Sequence, residues 1–194
     1  MLRHFARLSL KLAGWRVDDR FPRDDKYVLV VAFHTSNWDF IYGILAKWSL
    51  QERLNFVAKH TLFRAPFGYM FRAMGGIPVD RRMRHGFIDK MVEQFSCRDV
   101  MKLAILPEGT RSHVKYWKTG FYYIAVQAKV PIALGYFDYA NKIVGVGKTF
   151  YPSGDIEKDM HVIREFYADK TGKHPQNQGP ICLRPDGDES SRYN

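Results

Sequence analysis

His34 and Asp39, in His34-Thr-Ser-Asn-Trp-Asp39, are the residues of this sequence best suited to moving a proton. Imidazole accepts a proton near neutral pH. A carboxylate on its other ring nitrogen fixes the tautomer and stabilises the imidazolium. The spacing lets one turn of chain fold the carboxylate back onto the ring. No G-x-S-x-G elbow occurs in the sequence, so an esterase-type nucleophile is not evident, and Ser36 is too close to His34 to count as one. The chemistry indicated is activation of a substrate's own hydroxyl by a His–Asp base. Taken alone, the pair also fits a turn histidine capped by an aspartate.

Two further clusters carry charge. Gly75-Gly-Ile-Pro-Val-Asp-Arg-Arg82 allows a tight turn and then delivers Arg81 and Arg82 to the end of a short strand. Arginine gives bidentate hydrogen bonds to phosphate. In Leu106-Pro-Glu-Gly-Thr-Arg-Ser112, Glu108, Thr110 and Arg111 follow a buried strand. Glu108 can orient a substrate hydroxyl or another motif, and Arg111 can bind phosphate. Singly these read as a solvated basic loop and a polar turn. Three such clusters at strand ends of one parallel sheet would converge on one edge, where ligands gather in α/β proteins.

The elements that must hold them are readable from pattern. Tyr27 to Phe33 is apolar without alternation, as in a buried central strand. Asn37 or Ser36 can cap a helix over roughly Asp39 to Leu50. Strands are expected at Leu54–Lys59, Ile77–Val79, Met101–Leu106, Ile132–Tyr136 and Ile143–Phe150. Helices are expected at Leu62–Met74 (interrupted by Pro66 and Gly68), Gly86–Cys97, Gly120–Lys129 and Asp155–Asp169. The alternation implies a single α/β domain, a mostly parallel central sheet flanked by helices. The division is an amphipathic N-terminal segment at 1–23, the main domain at 24–171, and a loose tail at 172–194, rich in Pro, Gly, Asn and Asp.

Residues 2–15 form an amphipathic helix with Leu2, Phe5, Ala6, Leu8, Ser9, Leu12, Ala13 and Trp15 on one side. Arg3, His4, Arg7 and Lys11 lie on the other side, and Leu10 is the exception. Such a helix packs on its own domain or lies in a membrane interface. Between Met1 and Arg23 there are six Arg or Lys against two Asp.

With 194 residues, 46% of them hydrophobic, the chain can bury a core and is not disordered. Cys97 and Cys182 make neither a disulfide scaffold nor a metal-type spacing, so no metal is expected. The net charge of +10 points to an anionic partner: phosphate, nucleic acid or an anionic membrane surface. No stretch approaches the roughly 20 apolar residues that cross a bilayer. Nor does the N-terminus have the apolar block of a secretory signal. A cytoplasmic, peripheral protein on the inner face of the membrane is expected. No RNA- or DNA-binding signature is present, which makes nucleic acid an unlikely partner.

The motifs together resemble the glycerolipid acyltransferase superfamily, of the 1-acylglycerol-3-phosphate acyltransferase type. His34 to Asp39 looks like its H-x-x-x-x-D motif, and Gly76 to Arg81 like its G-x-x-x-x-R block. Pro107 to Ser112 looks like its P-E-G-T-R-S block, and Val130-Pro-Ile132 like its V-P-I block. The resemblance runs from about Val28 to Leu134. It implies acyl transfer from acyl-CoA or acyl carrier protein to a lysophospholipid hydroxyl, most simply that of 1-acylglycerol-3-phosphate. His34 would be the general base and Asp39 its orienting partner. Arg81 and Arg111 would hold the acceptor phosphate, Glu108, Gly109 and Thr110 would line the acceptor site, and Arg82 is a further phosphate contact. Lys59 or a backbone amide near Thr110 would serve the oxyanion. No cofactor, covalent acyl-enzyme or metal is implied. Pro78 and the run Ala133-Leu-Gly-Tyr136 depart from the usual blocks. The competing readings are a different lyso-lipid acceptor, such as a lyso-aminolipid, or a non-catalytic lipid- or nucleic-acid-binding protein.

Overall fold

The uninterrupted apolar run becomes the central strand β2 (Lys26–Ala32), flanked on both sides and buried on both faces. The computed structural model describes residues 1–79 and 86–185, so Arg81 and Arg82 lie outside the described residues. In chain order the other elements are α1 (Leu2–Leu12), β1 (Arg16–Asp19), α2 (Trp38–Leu50), β3 (Leu54–Lys59), α3 (Phe67–Ala73) and β4 (Gly76–Val79). They continue with α4 (Phe87–Ser96), β5 (Met101–Ile105), α5 (Gly120–Ala128), β6 (Ile132–Asp138), β7 (Ile143–Phe150) and α6 (Ile156–Tyr167).

One seven-stranded sheet runs in the order β1-β7-β6-β2-β5-β3-β4. Every neighbouring pair is parallel except β6 with β7. Those two are joined by the short turn 139–142, too short for a crossover, so they must be antiparallel. The Asp138 carboxylate builds that turn by accepting from the Ala140 and Asn141 backbone N–H groups and from Asn141 Nδ2.

Alternation within β2 assigns its side chains to two cores. Val28 and Val30 pack with Phe95, Phe121, Ile124 and Met160 of α4, α5 and α6. On the other face Val31 lies against the cluster of Leu10, Trp15, Ala46 and Phe137, which joins α1 and α2 to the sheet. Because β2, β3, β4, β5 and β6 run parallel, their carboxyl ends share one edge.

The structure departs from the sequence reading in three places. β1 was not expected: it is short and polar, with Val17 its one apolar residue. It is held by pairing along β7, where a Cβ on Gly145 would sit 1.9 Å from the Asp18 carbonyl oxygen, so only glycine admits the approach. Residues 172–185 are not a loose tail. The Trp117 N–H donates to the Cys182 carbonyl, Ile181 is buried, and the His174 N–H donates to Thr35 Oγ1. Finally, α1 seats on the domain through Ala6 and Leu10, the second of which had looked exceptional. Leu2, Phe5, Leu8 and Leu12 point outward, 56–79% exposed. The narrow stripe at 6 and 10 packs toward α2, and among the described residues the wider apolar stripe is left exposed.

Candidate active site

The chain leaves β2 and turns at His34–Asn37 into α2. Asn37 takes the N-cap position without a side-chain cap bond, and Ser36 Oγ, one residue earlier, accepts the Trp38 N–H at 3.2 Å. Asp39 lies in the first turn of α2, where an anion is favoured by the helix dipole. Its carboxylate folds back over the turn. Oδ2 accepts from the Thr35 N–H at 2.9 Å and the Ser36 N–H at 2.8 Å, and it lies 3.0 Å from His34 Nδ1. Oδ1 accepts from the Tyr139 hydroxyl at 2.6 Å. An acid that accepts on Oδ2 places the proton on Nδ1 and leaves Nε2 as the basic nitrogen. Asp39 is buried at 1% exposure, while the His34 side chain is 19% exposed and open to a substrate.

The third cluster comes alongside at the end of β5, the parallel neighbour of β2. The buried Glu108 accepts the His34 backbone N–H on Oε2 at 2.7 Å. Glu108 therefore orients the first motif, one of the two roles open to it. Gly109 completes the turn at φ +66°, a conformation that suits glycine, and its N–H returns to the Leu106 carbonyl. Thr110 and Arg111 sit exposed at the rim, where Thr110 Oγ1 accepts the Ser112 N–H. Lys59 ends β3 on the same edge, two strands from β2, or about 10 Å at ordinary strand spacing. It is exposed and makes no hydrogen bond to the His–Asp pair among the described residues. β4, which leads toward Arg81 and Arg82, ends at Val79 on that edge.

An apolar cavity of about 130 Å³ lies between α2 and the sheet. Asp39 and Leu106 line it near the edge, and Leu29, Ile44, Phe56 and Phe137 line its interior. Its lining comes from α2 and the sheet, with Phe21 from the loop before β2. The sequence reading missed Tyr139. The one signal for it was its place shortly after the strand expected at Ile132–Tyr136, which the structure extends to Asp138 and sets beside β2.

Burial, helped by the negative charge of Asp39 and opposed by the bond from the His34 N–H, pushes the Glu108 carboxyl up to about 7. The folded value exceeds the ordinary one near 4.5, so folding takes up a proton between them. Stability from this group is complete below about 4.5 and is lost as pH rises through about 7. Glu108→Gln, which stays neutral and keeps an acceptor for the His34 N–H, should gain on the parent by up to about 3 kcal/mol between pH 5 and pH 8. Thermal unfolding of both proteins at the two pH values checks this. An equal difference at both would show that Glu108 does not titrate there.

The Acyltransferase family model matches residues 16–133, more than half of the chain. The chain is 28% identical over 178 residues to human 1-acyl-sn-glycerol-3-phosphate acyltransferase beta, covering 80% of this chain and 63% of that protein. It is 31% identical over 121 residues to 1-acyl-sn-glycerol-3-phosphate acyltransferase of Streptococcus pneumoniae, covering 62% of this chain and 45% of that one. The matches thus span between under half and under two thirds of these curated relatives. In fold, the chain is similar to the crystal structure of the 1-acyl-sn-glycerophosphate (LPA) acyltransferase PlsC from Thermotoga maritima. That likeness has a TM-score of 0.59 at 18% identity, over 89% of this chain and 80% of that one. A parallel sheet with His34, Asp39 and Glu108 at one edge, together with the matched span, places the chain in the Acyltransferase family.

Proposed function

We propose that this chain moves a fatty acyl group from an acyl thioester to the free hydroxyl of 1-acylglycerol-3-phosphate at a membrane surface. The observation that carries the reading is the His34–Asp39 pair, with the His34 side chain partly exposed at the sheet edge and an apolar cavity lined by Asp39. The acceptor is suggested by the activities named for the relatives.

In this reading Nε2 takes the acceptor's hydroxyl proton as its oxygen attacks the thioester carbonyl carbon. A tetrahedral oxyanion forms, and donors near it lower the barrier. Lys59 or a backbone amide near Thr110 serves that role. The intermediate collapses with cleavage of the carbon–sulfur bond, and the imidazolium returns its proton to the leaving thiolate. The products are an ester and a free thiol, with no metal or further cofactor involved. Arg111 at the rim, with Arg81 and Arg82, serves the acceptor phosphate. The cavity under α2 takes the acyl chain, and acyl-CoA and acyl carrier protein both remain candidate donors.

The outward stripe of α1 supports action at a lipid surface, because large apolar side chains without cover on the protein are placed for an interface. Arg3, Arg7 and Lys11 on the same helix favour anionic headgroups, as on the inner face of a membrane. Among the described residues no helix is long and apolar enough to cross a membrane.

The test offers labelled long-chain acyl-CoA, and separately acyl carrier protein, with lysophosphatidate and a panel of other lysolipids on anionic vesicles. Product with lysophosphatidate is expected. Product only with another lysolipid would move the acceptor, and no product from any pair would overturn the reading. Replacing Phe5, Leu8 and Leu12 by Asp should weaken vesicle binding about 10²- to 10³-fold. Unchanged binding would assign the anchor to another surface.

A further inference from the structure

We propose that Tyr139 is a positioning residue of this reaction, holding Asp39, and through it the His34 base, in register with the sheet. The inference rests on the function proposed above. The three partners of Asp39 Oδ2 (His34 Nδ1 and the N–H groups of Thr35 and Ser36) all belong to the turn that Asp39 itself closes. They fix the carboxylate to its own loop and to nothing else. Oδ1 has the Tyr139 hydroxyl at 2.6 Å, contributed from 100 residues away. That bond ties the loop to the scaffold.

The scaffold at that point is rigid. Tyr139 is the first residue after β6, which pairs in parallel with β2, so His34 and Tyr139 leave adjacent strands at the same edge. The Tyr139 N–H donates to the Thr171 carbonyl at 2.8 Å. Its ring meets Trp15 edge-on, with centroids 4.8 Å apart, and lies 6.1 Å from Tyr42, on which Trp15 stacks at 4.3 Å. Trp15 is buried with Leu10 of α1 and Phe137 of β6, so the ring angle of Tyr139 is set by the seat of the N-terminal helix. The ionisable groups facing this bond are Asp39, His34 and Tyr42, with Glu108 behind the His34 backbone. Burial and the contact with Asp39 raise the Tyr139 hydroxyl above its ordinary value, so it stays a donor.

A hydroxyl donated to a carboxylate withdraws charge density from it. Without that bond Asp39 would stabilise the imidazolium more strongly while holding the ring less firmly. Tyr139→Phe should therefore lower kcat about 10-fold through loosened geometry. It should also move the acid limb of the kcat/KM–pH profile upward by about 0.5 to 1 pH unit. KM for both substrates should hold, since in this role Tyr139 acts through Asp39. Tyr122→Phe is the matched control: the Tyr122 hydroxyl donates to the buried Asp159 at 2.8 Å, between α5 and α6 and outside the site. Each variant loses one Tyr–Asp bond to a buried carboxylate, fully buried at Tyr122 and partly buried at Tyr139. Only Tyr139→Phe should move kcat and the profile.

Equal effects in the two variants, or no effect in Tyr139→Phe, would overturn the inference. NMR titration of the His34 ring in the parent and Tyr139→Phe gives a readout independent of turnover, in which the midpoint should rise in the variant. A shifted midpoint in a protein that transfers no acyl group would uphold the positioning role while sinking the proposed function. An unshifted midpoint would sink the positioning role alone.

Discussion

His34→Ala should reduce acyl transfer by about 10³- to 10⁴-fold, which corresponds to a barrier about 4 to 5.5 kcal/mol higher. In the proposed mechanism the base takes the acceptor proton and later returns it to the leaving thiolate, so its loss burdens both steps. The fold should survive. His34's side chain is 19% exposed and contributes one of the bonds to Asp39. Thr35, Ser36 and Tyr139 continue to satisfy the buried carboxylate, and Glu108 bonds the backbone of residue 34, which alanine retains. The variant should therefore keep its unfolding temperature within a few degrees and its vesicle binding. Steady-state transfer beside thermal unfolding checks the two together. Transfer at more than a tenth of the parent rate from a folded variant would remove His34 from the chemistry.

Asp39→Asn should cost about 10²- to 10³-fold in kcat, or about 2.7 to 4 kcal/mol of barrier. Asparagine is the informative change because alanine would leave the Thr35 and Ser36 N–H groups without an acceptor in a buried turn, and that alone disturbs the loop. Those two donors require the amide oxygen at the Oδ2 position, so the amide nitrogen must face Tyr139, whose hydroxyl turns to accept. The turn is then kept and His34 Nδ1–H still has an acceptor, but the negative charge that stabilises the imidazolium is gone. The loss should appear in kcat with KM little changed. A fall in KM-type binding at constant kcat would assign Asp39 to substrate binding. Retention of full kcat would show that the charge is dispensable.

What could be read in advance had local causes. The apolar run Tyr27–Phe33 could be a buried strand because nothing polar interrupts it, and the structure sets β2 at the centre of the sheet. Ser36 and Asp39 sit where a helix start needs an acceptor and a negative charge, so the turn between strand and helix was legible too. Each of the charged clusters follows a strand, and parallel strands bring carboxyl ends together. His34 and Glu108, 74 residues apart, thus meet at 2.7 Å.

The misses share a different cause. β1 holds through its partner β7, and its own residues carry little pattern. The chain after Gly172 is rich in turn-forming residues, yet it is anchored by Thr35 and Trp117. Helical periodicity showed that residues 2–15 have an apolar side. It could not choose between the stripe of Leu2, Phe5, Leu8 and Leu12 and the narrower one of Ala6 and Leu10. That choice depends on what the rest of the fold presents: Leu10 finds Trp15, Ala46 and Phe137, and Ala6 is small enough to let the helices approach.

By itself, then, the sequence determined the alternating α/β order, the strand that carries the site, the His34–Asp39 pair and the motifs of the family. Each of these follows from spacing within a few residues or from strand direction. The tertiary structure alone decided the role of Glu108 as a brace for the His34 backbone, the Tyr139 bond to Asp39, the cavity under α2, and the face that α1 leaves uncovered. These depend on which distant side chains share one small volume. Packing and desolvation act on that shared volume, and neither leaves a periodic trace along the chain.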